Sequence, residues 1–269
     1  RMVCHYCGKS EKPLTVCPVC GSSSLTTVGL GTEKIEEEIK TIFPSSRIAR
    51  MDQDTTRAKG AHAEILSDFA AGDTDILIGT QMISKGLDFE NLTVVGVLDA
   101  DSMLNFPDFR AHERSFQLME QVSGRAGRRN RTGKVIIQTS TPAHYILRQV
   151  IKHDYIAMYE AQIAERELFG YPPFTRLIRL NVKHRDKETI NRAAFQLAET
   201  LRKKLGPMVL GPEFPPVMQV QKWYIKSILI KINRDLSVAR IKELVSAAIN
   251  NVQGGYGSGL RITVDVDPQ

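Results

Sequence analysis

Apolar residues recur at helical spacing over residues 32–43, where Ile35, Ile39 and Ile42 share a face behind Thr32 as the N-cap. That pattern predicts an amphipathic helix. Residues 47–51 read as a short strand, 58–71 as a helix with Ile65, Leu66 and Phe69 inward, and 75–79 as a buried strand. An apolar strand over 93–98, a helix over 110–123, a strand over 134–138 and a helix-like run over 154–168 follow. Strands that alternate with helices predict an open parallel sheet covered on both faces.

The pattern changes at Phe169-Gly-Tyr-Pro-Pro-Phe174, where paired prolines end the helical run and mark a domain boundary. Beyond it Ile178, Leu180 and Val182 alternate with polar residues as a half-exposed strand, and Ile190, Ala194, Leu197, Leu201 and Leu205 line one helix face. A proline-interrupted stretch over 206–217 follows. Ile228, Ile230 and Ile232 form the next alternating strand. Val238, Ile241, Leu244, Val245, Ala248, Ile249 and Val252 mark a second helix, and Leu260, Ile262, Val264 and Val266 a last strand. The order strand, helix, strand, strand, helix, strand resembles a split β-α-β layout, with helices layered on an antiparallel sheet.

The 269 residues, 42% hydrophobic and 25% charged, suit a globular chain with more than one core, and two domains are expected. A balance of 36 Lys and Arg against 30 Asp and Glu leaves a net charge of +6, which favours a polyanionic partner, with nucleic acid first among them. No apolar run is long enough to span a bilayer and no greasy leader opens the chain, so a cytoplasmic location is the expectation. The chain starts on Arg1, three residues before a cysteine motif, and reads as a fragment. It carries no internal repeat or low-complexity tract.

All four cysteines fall in one short segment, as Cys4-His-Tyr-Cys7-Gly and Cys17-Pro-Val-Cys20-Gly. Two cysteines separated by two residues and followed by glycine form a turn that aims both sulfurs at one point, the geometry of tetrahedral zinc. Paired disulfides or a redox-active pair suit this context less well. His5 is open to being a substitute ligand or a solvated knuckle residue. Only nine residues separate the knuckles, fewer than in common four-cysteine ribbons, so each pair is open to a partner outside this sequence.

The loop after the 75–79 strand holds the next candidates, because ligands bind at the carboxyl ends of parallel strands. Thr80 and Gln81 can donate to nucleic-acid phosphates, or cap a helix start. Lys85 is a further nucleic-acid candidate or a solvated lysine. Asp88 can accept from a ribose hydroxyl, with Gly86 freeing the backbone that aims it, although a plain turn has the same sequence. In Gln121-Val-Ser-Gly-Arg-Ala-Gly-Arg128, Arg125 and Arg128 sit among glycines that permit close approach, and a guanidinium can hold phosphate oxygens with two parallel bonds. Arg129 and Arg131 read as a solvated or DNA-facing edge. Asp99 and Asp101 look at first like a metal pair, but two carboxylates alone make no magnesium cage, and a turn with an interdomain polar contact suits them better. Trp223, Tyr224, Tyr171 and Phe174 are candidates for stacking bases or gripping a peptide, or for core packing.

Together these segments resemble the second motor lobe of superfamily 2 helicases. Gly79-Thr80-Gln81 through Gly86-Leu87-Asp88 looks like motif V and Gln121 through Arg128 like motif VI. The likeness is closer still to the PriA family (primosomal protein N′) of replication-restart helicases. It is carried by Gly29-Leu-Gly-Thr-Glu33, Met51-Asp-Gln-Asp-Thr-Thr56, Gly79-Thr-Gln-Met-Ile-Ser-Lys-Gly86, Asp108-Phe-Arg-Ala-His-Glu-Arg114, Tyr171-Pro-Pro-Phe174 and Asp265-Val-Asp-Pro268, which span nearly the whole chain.

The resemblance implies the C-terminal portion of an ATP-dependent 3′ to 5′ DNA helicase that restarts stalled forks and assembles the primosome. It implies a partial zinc-binding module over 1–28, a RecA-like second helicase lobe over 29–168 and a smaller α+β C-terminal domain over 169–269. ATP with Mg2+ would bind only together with a first lobe, whose Walker lysine and Asp-Glu pair this sequence lacks, so the chain alone is expected to be inactive. By the same likeness Arg128 is the arginine finger, Arg125 its neighbour on the γ-phosphate and Gln121 an orienting or sensing group. Gly86 and Asp88 serve the nucleotide, and Thr80, Gln81 and Lys85 the nucleic acid. The family's zinc module has four cysteine pairs, the outer two on one ion and the inner two on another. Cys4 and Cys7 would then serve one Zn2+ site, and Cys17 and Cys20 the other. The implied partners are branched and single-stranded DNA, single-stranded DNA-binding protein and other primosome proteins, with no membrane. A different class of function, a non-enzymatic zinc-dependent scaffold that binds DNA or a replication protein, keeps the lobe only as architecture.

Overall fold

A computed structural model describes residues 2–3, 10–12, 14–25, 31–52, 54–58, 60–80, 89, 92–124, 126 and 133–268. The chain divides into two compact units, one of Thr26–Gln162 and one of Ile163–Gln269 with Arg1–Leu25. In the N-terminal segment β1 (Met2–Val3) and β2 (Ser10–Glu11) pair antiparallel.

In the unit of residues 26–162, α1 (Thr32–Ile42) leads into β3 (Ile48–Met51), α2 (Ala61–Ala71) and β4 (Ile76–Gly79). Thr32 is not the N-cap. Gly31 takes that position in extended backbone, and the Thr32 hydroxyl donates instead to Asp52 Oδ2 at 2.6 Å. A carboxylate is the stronger acceptor, so the side chain turns away from the helix end. β5 (Val94–Val97), α3 (Ala100–Leu104), α4 (Ala111–Ser123), β6 (Lys134–Ile137), α5 (Tyr145–Lys152) and α6 (Tyr155–Phe169) follow, the last running on past Gln162 into the second unit.

β3 and β4 pair in parallel with Met51 opposite Gly79, and β5 and β6 pair in parallel with Val97 opposite Ile137. Among the described residues no ladder joins the two pairs into the single sheet that the periodicity predicts. The buried cluster of this unit is Ala100, Leu104, Phe116, Met119, Ile146, Leu147, Val150 and Met158. Two of its helices, α3 and α5, are absent from the sequence reading, although Ile146, Leu147 and Val150 of α5 recur at helical spacing. One has only five residues, and each opens on a side-chain cap, from Asp99 and His144 respectively.

The second unit continues through β7 (Thr175–His184), α7 (Lys187–Leu205), β8 (Val209–Glu213), β9 (Gln219–Val220), β10 (Trp223–Asn233), α8 (Val238–Tyr256) and β11 (Arg261–Val266). The strand order is β11-β7-β10-β8, antiparallel throughout, with β9 forming a hairpin on β10. Asp186 and Ser237 cap α7 and α8, accepting from the N–H groups of Thr189 and Arg240. Ile178, Leu180, Val182, Ile228, Ile230 and Ile232 point to one face of the sheet. They pack there against Ile190, Leu197 and Leu201 of α7 and Ile241, Val245 and Val252 of α8. Each such side chain, fully buried, contributes roughly 1.5–3 kcal/mol of transfer free energy.

β8 falls in the proline-interrupted stretch, the place of the second strand in the expected order, although no alternation marks it. It is a terminal strand of the sheet with a shift in register opposite Ser227 and Leu229, a place where Gly211 and Pro212 are tolerated. Pro212 lacks an N–H, and a strand with an unpaired side does not need one. No helix among the described residues is long and apolar enough to cross a membrane.

Candidate functional site

The parallel register of β3 and β4 brings the residues that follow them, Asp52 and Thr80, to the same end of the pair. That is the carboxyl end, where parallel strands gather ligands. Thr80 is exposed there. Gln81, Lys85, Gly86 and Asp88 lie outside the described residues, as do Arg125 and Arg128.

Asp52 is the organising group at this end, and nothing in the apolar pattern singled it out. It is 8% exposed. Its Oδ1 accepts the N–H groups of Asp54 and Thr55 at 3.0 Å each, and its Oδ2 accepts the Thr32 hydroxyl at 2.6 Å and forms an ion pair with Arg50, whose Nε lies at 3.1 Å without hydrogen-bonding to it. The Thr55 and Thr56 hydroxyls donate back to the Asp52 carbonyl. Burial raises the carboxyl's pKa, yet the bonds from Thr32 and Thr55 and the Arg50 charge outweigh it, so the pKa lies below its ordinary value. The loop after β3 is thereby clamped to α1. The readable signal was the Asp-x-Asp-Thr-Thr string, whose short polar side chains favour turns of this kind.

Asp99 and Asp101 act as structural groups. Asp99, at φ 53°, caps α3 by accepting from Ser102 N–H. Asp101 accepts the Thr139 hydroxyl at 2.7 Å, the Ser140 N–H and hydroxyl at 2.7 Å each and the Thr141 hydroxyl at 3.0 Å. Those bonds, that of Thr139 foremost, hold the carboxyl well below the usual carboxylate range. All of these partners belong to residues 26–162, so the contact ties the β5–α3 turn to the loop after β6 within one unit, not between domains.

Gln121 sits in the last turn of α4. Met119 of that helix is fully buried, and two further residues rotate the helix by about 200°, which turns Gln121 to solvent. Gly124 follows as the C-cap with φ −66°, in helical backbone, so its lack of a side chain serves no left-handed turn. A Cβ there would meet the Glu120 carbonyl at 3.4 Å. Glu120 itself pairs with His153 at 2.9 Å, which fixes the end of α4 that leads to the arginines.

Of the cysteines, Cys4 and Cys7 lie outside the described residues, while Cys17 and Cys20 form a turn closed by Gly21 N–H donating to the Cys17 carbonyl at 2.9 Å. Gly21 takes φ +70°, which a side chain would resist. The Cys17 thiol pKa is lowered by the Cys20 N–H first, then the Val19 N–H and the Cys20 thiol. Among the described residues no group of three or more His, Cys, Asp or Glu could hold a metal ion.

Two family matches cover most of the chain. The helicase conserved C-terminal domain matches residues 22–130, and the primosomal protein N C-terminal domain matches residues 167–269. The replication restart protein PriA of Bacillus subtilis is 41% identical over 271 residues, covering 100% of this chain and 33% of its own length. That of Treponema pallidum is 40% identical, over 99% of this chain and 40% of its own. The chain belongs to the PriA family. A third member, from Haemophilus influenzae, is 36% identical over 99% of this chain and 36% of its own length. The chain thus spans about a third of the PriA relatives it matches and corresponds to their C-terminal region. The likeness carried by the motifs is correct at the level of the family, and the match to the helicase domain implies a RecA-like lobe of mixed α/β content.

Proposed function

We propose that this chain is the C-terminal portion of an ATP-dependent 3′ to 5′ DNA helicase that restarts stalled replication forks and assembles the primosome. The observation that carries the reading is the helicase-domain match over residues 22–130, which holds every assigned residue from Thr80 to Arg128. On this reading residues 29–168 are the second motor lobe and residues 169–269 an α+β domain of split β-α-β layout. The strand order β11-β7-β10-β8 supports the latter.

ATP lies between the two motor lobes, with the Walker residues supplied by the first. Arg128 stabilises charge on the transferring phosphoryl group, a contribution of about 10³ to 10⁵ in rate for arginine fingers, and Arg125 holds the γ-phosphate beside it. Exposed Gln121, one turn upstream, orients these groups. Asp88, aimed by Gly86, contacts the ribose. Thr80, Gln81 and Lys85 hold a DNA phosphate at the end of β4, on the platform that Asp52 clamps. The partners are branched and single-stranded DNA, single-stranded DNA-binding protein and other primosome proteins, in the cytoplasm.

The Cys17–Cys20 turn fits a zinc knuckle, because N–H groups aimed at a sulfur favour the thiolate that zinc requires. Cys17 and Cys20 would supply half of one Zn2+ site, and Cys4 and Cys7 half of another. Bound zinc would cross-link this segment to cysteines elsewhere in the protein.

In the full-length enzyme, Arg128→Ala abolishes ATP hydrolysis and leaves DNA affinity nearly intact. An equal loss of both would make the residue a DNA contact instead. The isolated chain shows no DNA-stimulated ATPase, and turnover at a helicase-like rate would refute the division of labour between lobes.

A further inference from the structure

The sheet of residues 175–266 buries one face under α7 and α8, and among the described residues no helix packs on the other. Alternation sends Trp223, Ile225, Ser227, Leu229 and Lys231 of β10 to that second face. The register adds Lys183, Asn181 and Arg179 of β7 beside them, and Arg261, Thr263 and Asp265 of β11 beyond. Its two ends differ. At one, Lys231 Nζ donates to the Phe169 carbonyl at 2.7 Å and lies 3.6 Å from the centre of the Tyr171 ring, so the turn before β7 covers the sheet. At the other, half-exposed Trp223 has two exposed arginines against its ring, Arg261 at 4.4 Å and Arg185 at 5.2 Å from the ring centre.

Lys183 lies opposite both Ile225 and Arg261, and Lys222 occupies the exposed turn just before Trp223. Among the described residues none of Lys183, Arg185 and Arg261 pairs with a carboxylate. The turn is itself strained. Gln221 and Lys222 join β9 to β10 at φ 46° and φ 68°, left-handed conformations that favour glycine at both places. Strain of this kind gathers at sites that bind ligands.

We propose that this end of the sheet binds single-stranded nucleic acid, with a base stacked on Trp223 and its flanking phosphates held by Arg185, Arg261 and Lys183. The chemistry matches on both counts. An indole offers a π-face to any base, and a row of unpaired cations suits the phosphates between bases. A planar base can take one guanidinium's place on the ring. The displaced arginine keeps its charge and turns to the adjacent phosphate, so the cation–π contacts prepare the site. The assignment goes beyond the motor-lobe reading, which gives nucleic acid only to Thr80, Gln81 and Lys85.

Trp223 is the sole tryptophan of the chain, so its fluorescence reports on this site alone. The test titrates the whole chain with a fluorescein-labelled oligo(dT) of about 15 nucleotides, within the range of single-strand binding sites, and follows anisotropy and tryptophan emission together. Quenching of Trp223 over the same concentrations as the anisotropy rise is expected. Trp223→Ala weakens binding by about 5- to 150-fold, the loss of one base–aromatic stack, and Trp223→Phe recovers part of it. The double variant Arg185→Glu, Arg261→Glu lowers the slope of log K on log salt by about 1.4, two phosphate contacts at about 0.7 each. Both arginines are exposed, so the variant keeps its fold, which far-UV circular dichroism verifies.

Binding with constant Trp223 emission, and affinity that ignores the double variant, would overturn the proposal while leaving the motor-lobe contacts standing. Absence of binding would overturn it too. Poly-glutamate that quenches Trp223 as strongly as the oligonucleotide at equal charge would make the surface a protein-docking face instead.

Discussion

Replacing Asp52 by alanine removes a carboxylate that holds the loop after β3 to α1. Four contacts go with it: the N–H groups of Asp54 and Thr55, the Thr32 hydroxyl and Arg50 Nε. The first three are hydrogen bonds to a charged group, about 1.5–3 kcal/mol each, and the fourth an ion pair, but all share one carboxylate and do not add. Arg50 is not left wholly alone, since Glu33 and Glu36 lie 3.6 Å away. The loss should therefore fall near the lower end of that for breaking a buried ion pair, about 3 kcal/mol.

Asp52→Asn keeps an acceptor for the two N–H groups and loses the charge that faces Thr32 and Arg50, so it costs less, about 1–2 kcal/mol. Amide hydrogen exchange read by mass spectrometry on peptides covering residues 47–58 is the assay. In Asp52→Ala local opening should rise by about 100-fold, and in Asp52→Asn by about tenfold. Thr32→Val in both backgrounds should show coupling of about 1 kcal/mol to Asp52. Exchange that stays at the wild-type rate, or equal effects of Asn and Ala, would refute the reasoning. The pH dependence has a definite sign. Because the folded carboxyl has the lower pKa, its stabilisation is present above the ordinary value of 3.8 and is lost as pH falls through the folded value.

Gly211→Ala should destabilise the C-terminal sheet by about 2–4 kcal/mol in urea melts followed by Trp223 emission. Gly211 has φ +85° and a Cβ there would meet the Ser227 carbonyl at 2.7 Å. In the same melts Lys222→Gly should stabilise by roughly 0.5–1 kcal/mol, by relieving a left-handed lysine, and a loss of stability would show that the turn is not strained. His144 has its pKa lowered from 6.5, by burial first and then by the neighbouring His112 charge. The unfolded chain then binds the proton more readily, so the unit of residues 26–162 should lose stability as pH falls below 6.5 and keep more of it in His144→Gln. NMR titration of the imidazole checks the direction, and a raised His144 pKa would contradict it.

The apolar pattern located nearly every long element, because a buried face must repeat at the period of its own backbone. Residues 187–205 and 238–256 read as helices from apolar positions such as Ile190, Leu197, Ile241 and Val245, and these residues prove buried. The motif strings likewise placed the chain in its family, since they name residue types in an order that chance seldom repeats. Pairing between distant segments was not legible. No local period announces that Pro212 lies in a strand, that Thr32 turns from its own helix end to Asp52, or that Asp101 takes three residues of the loop after β6.

Trp223 marks the limit most clearly. Sequence left it open between core packing and base stacking, because one aromatic residue suits either. Tertiary structure decided its surroundings: antiparallel register set Arg261 of β11 and Arg185 beyond β7 against a ring that neither adjoins in the chain. Sequence by itself determined which residues seek burial and which family the chain belongs to, both being properties of local order. Only folding decided which polar groups share a carboxylate or a ring, because those partners lie about 20 to 40 residues apart and meet through the packing of the whole unit.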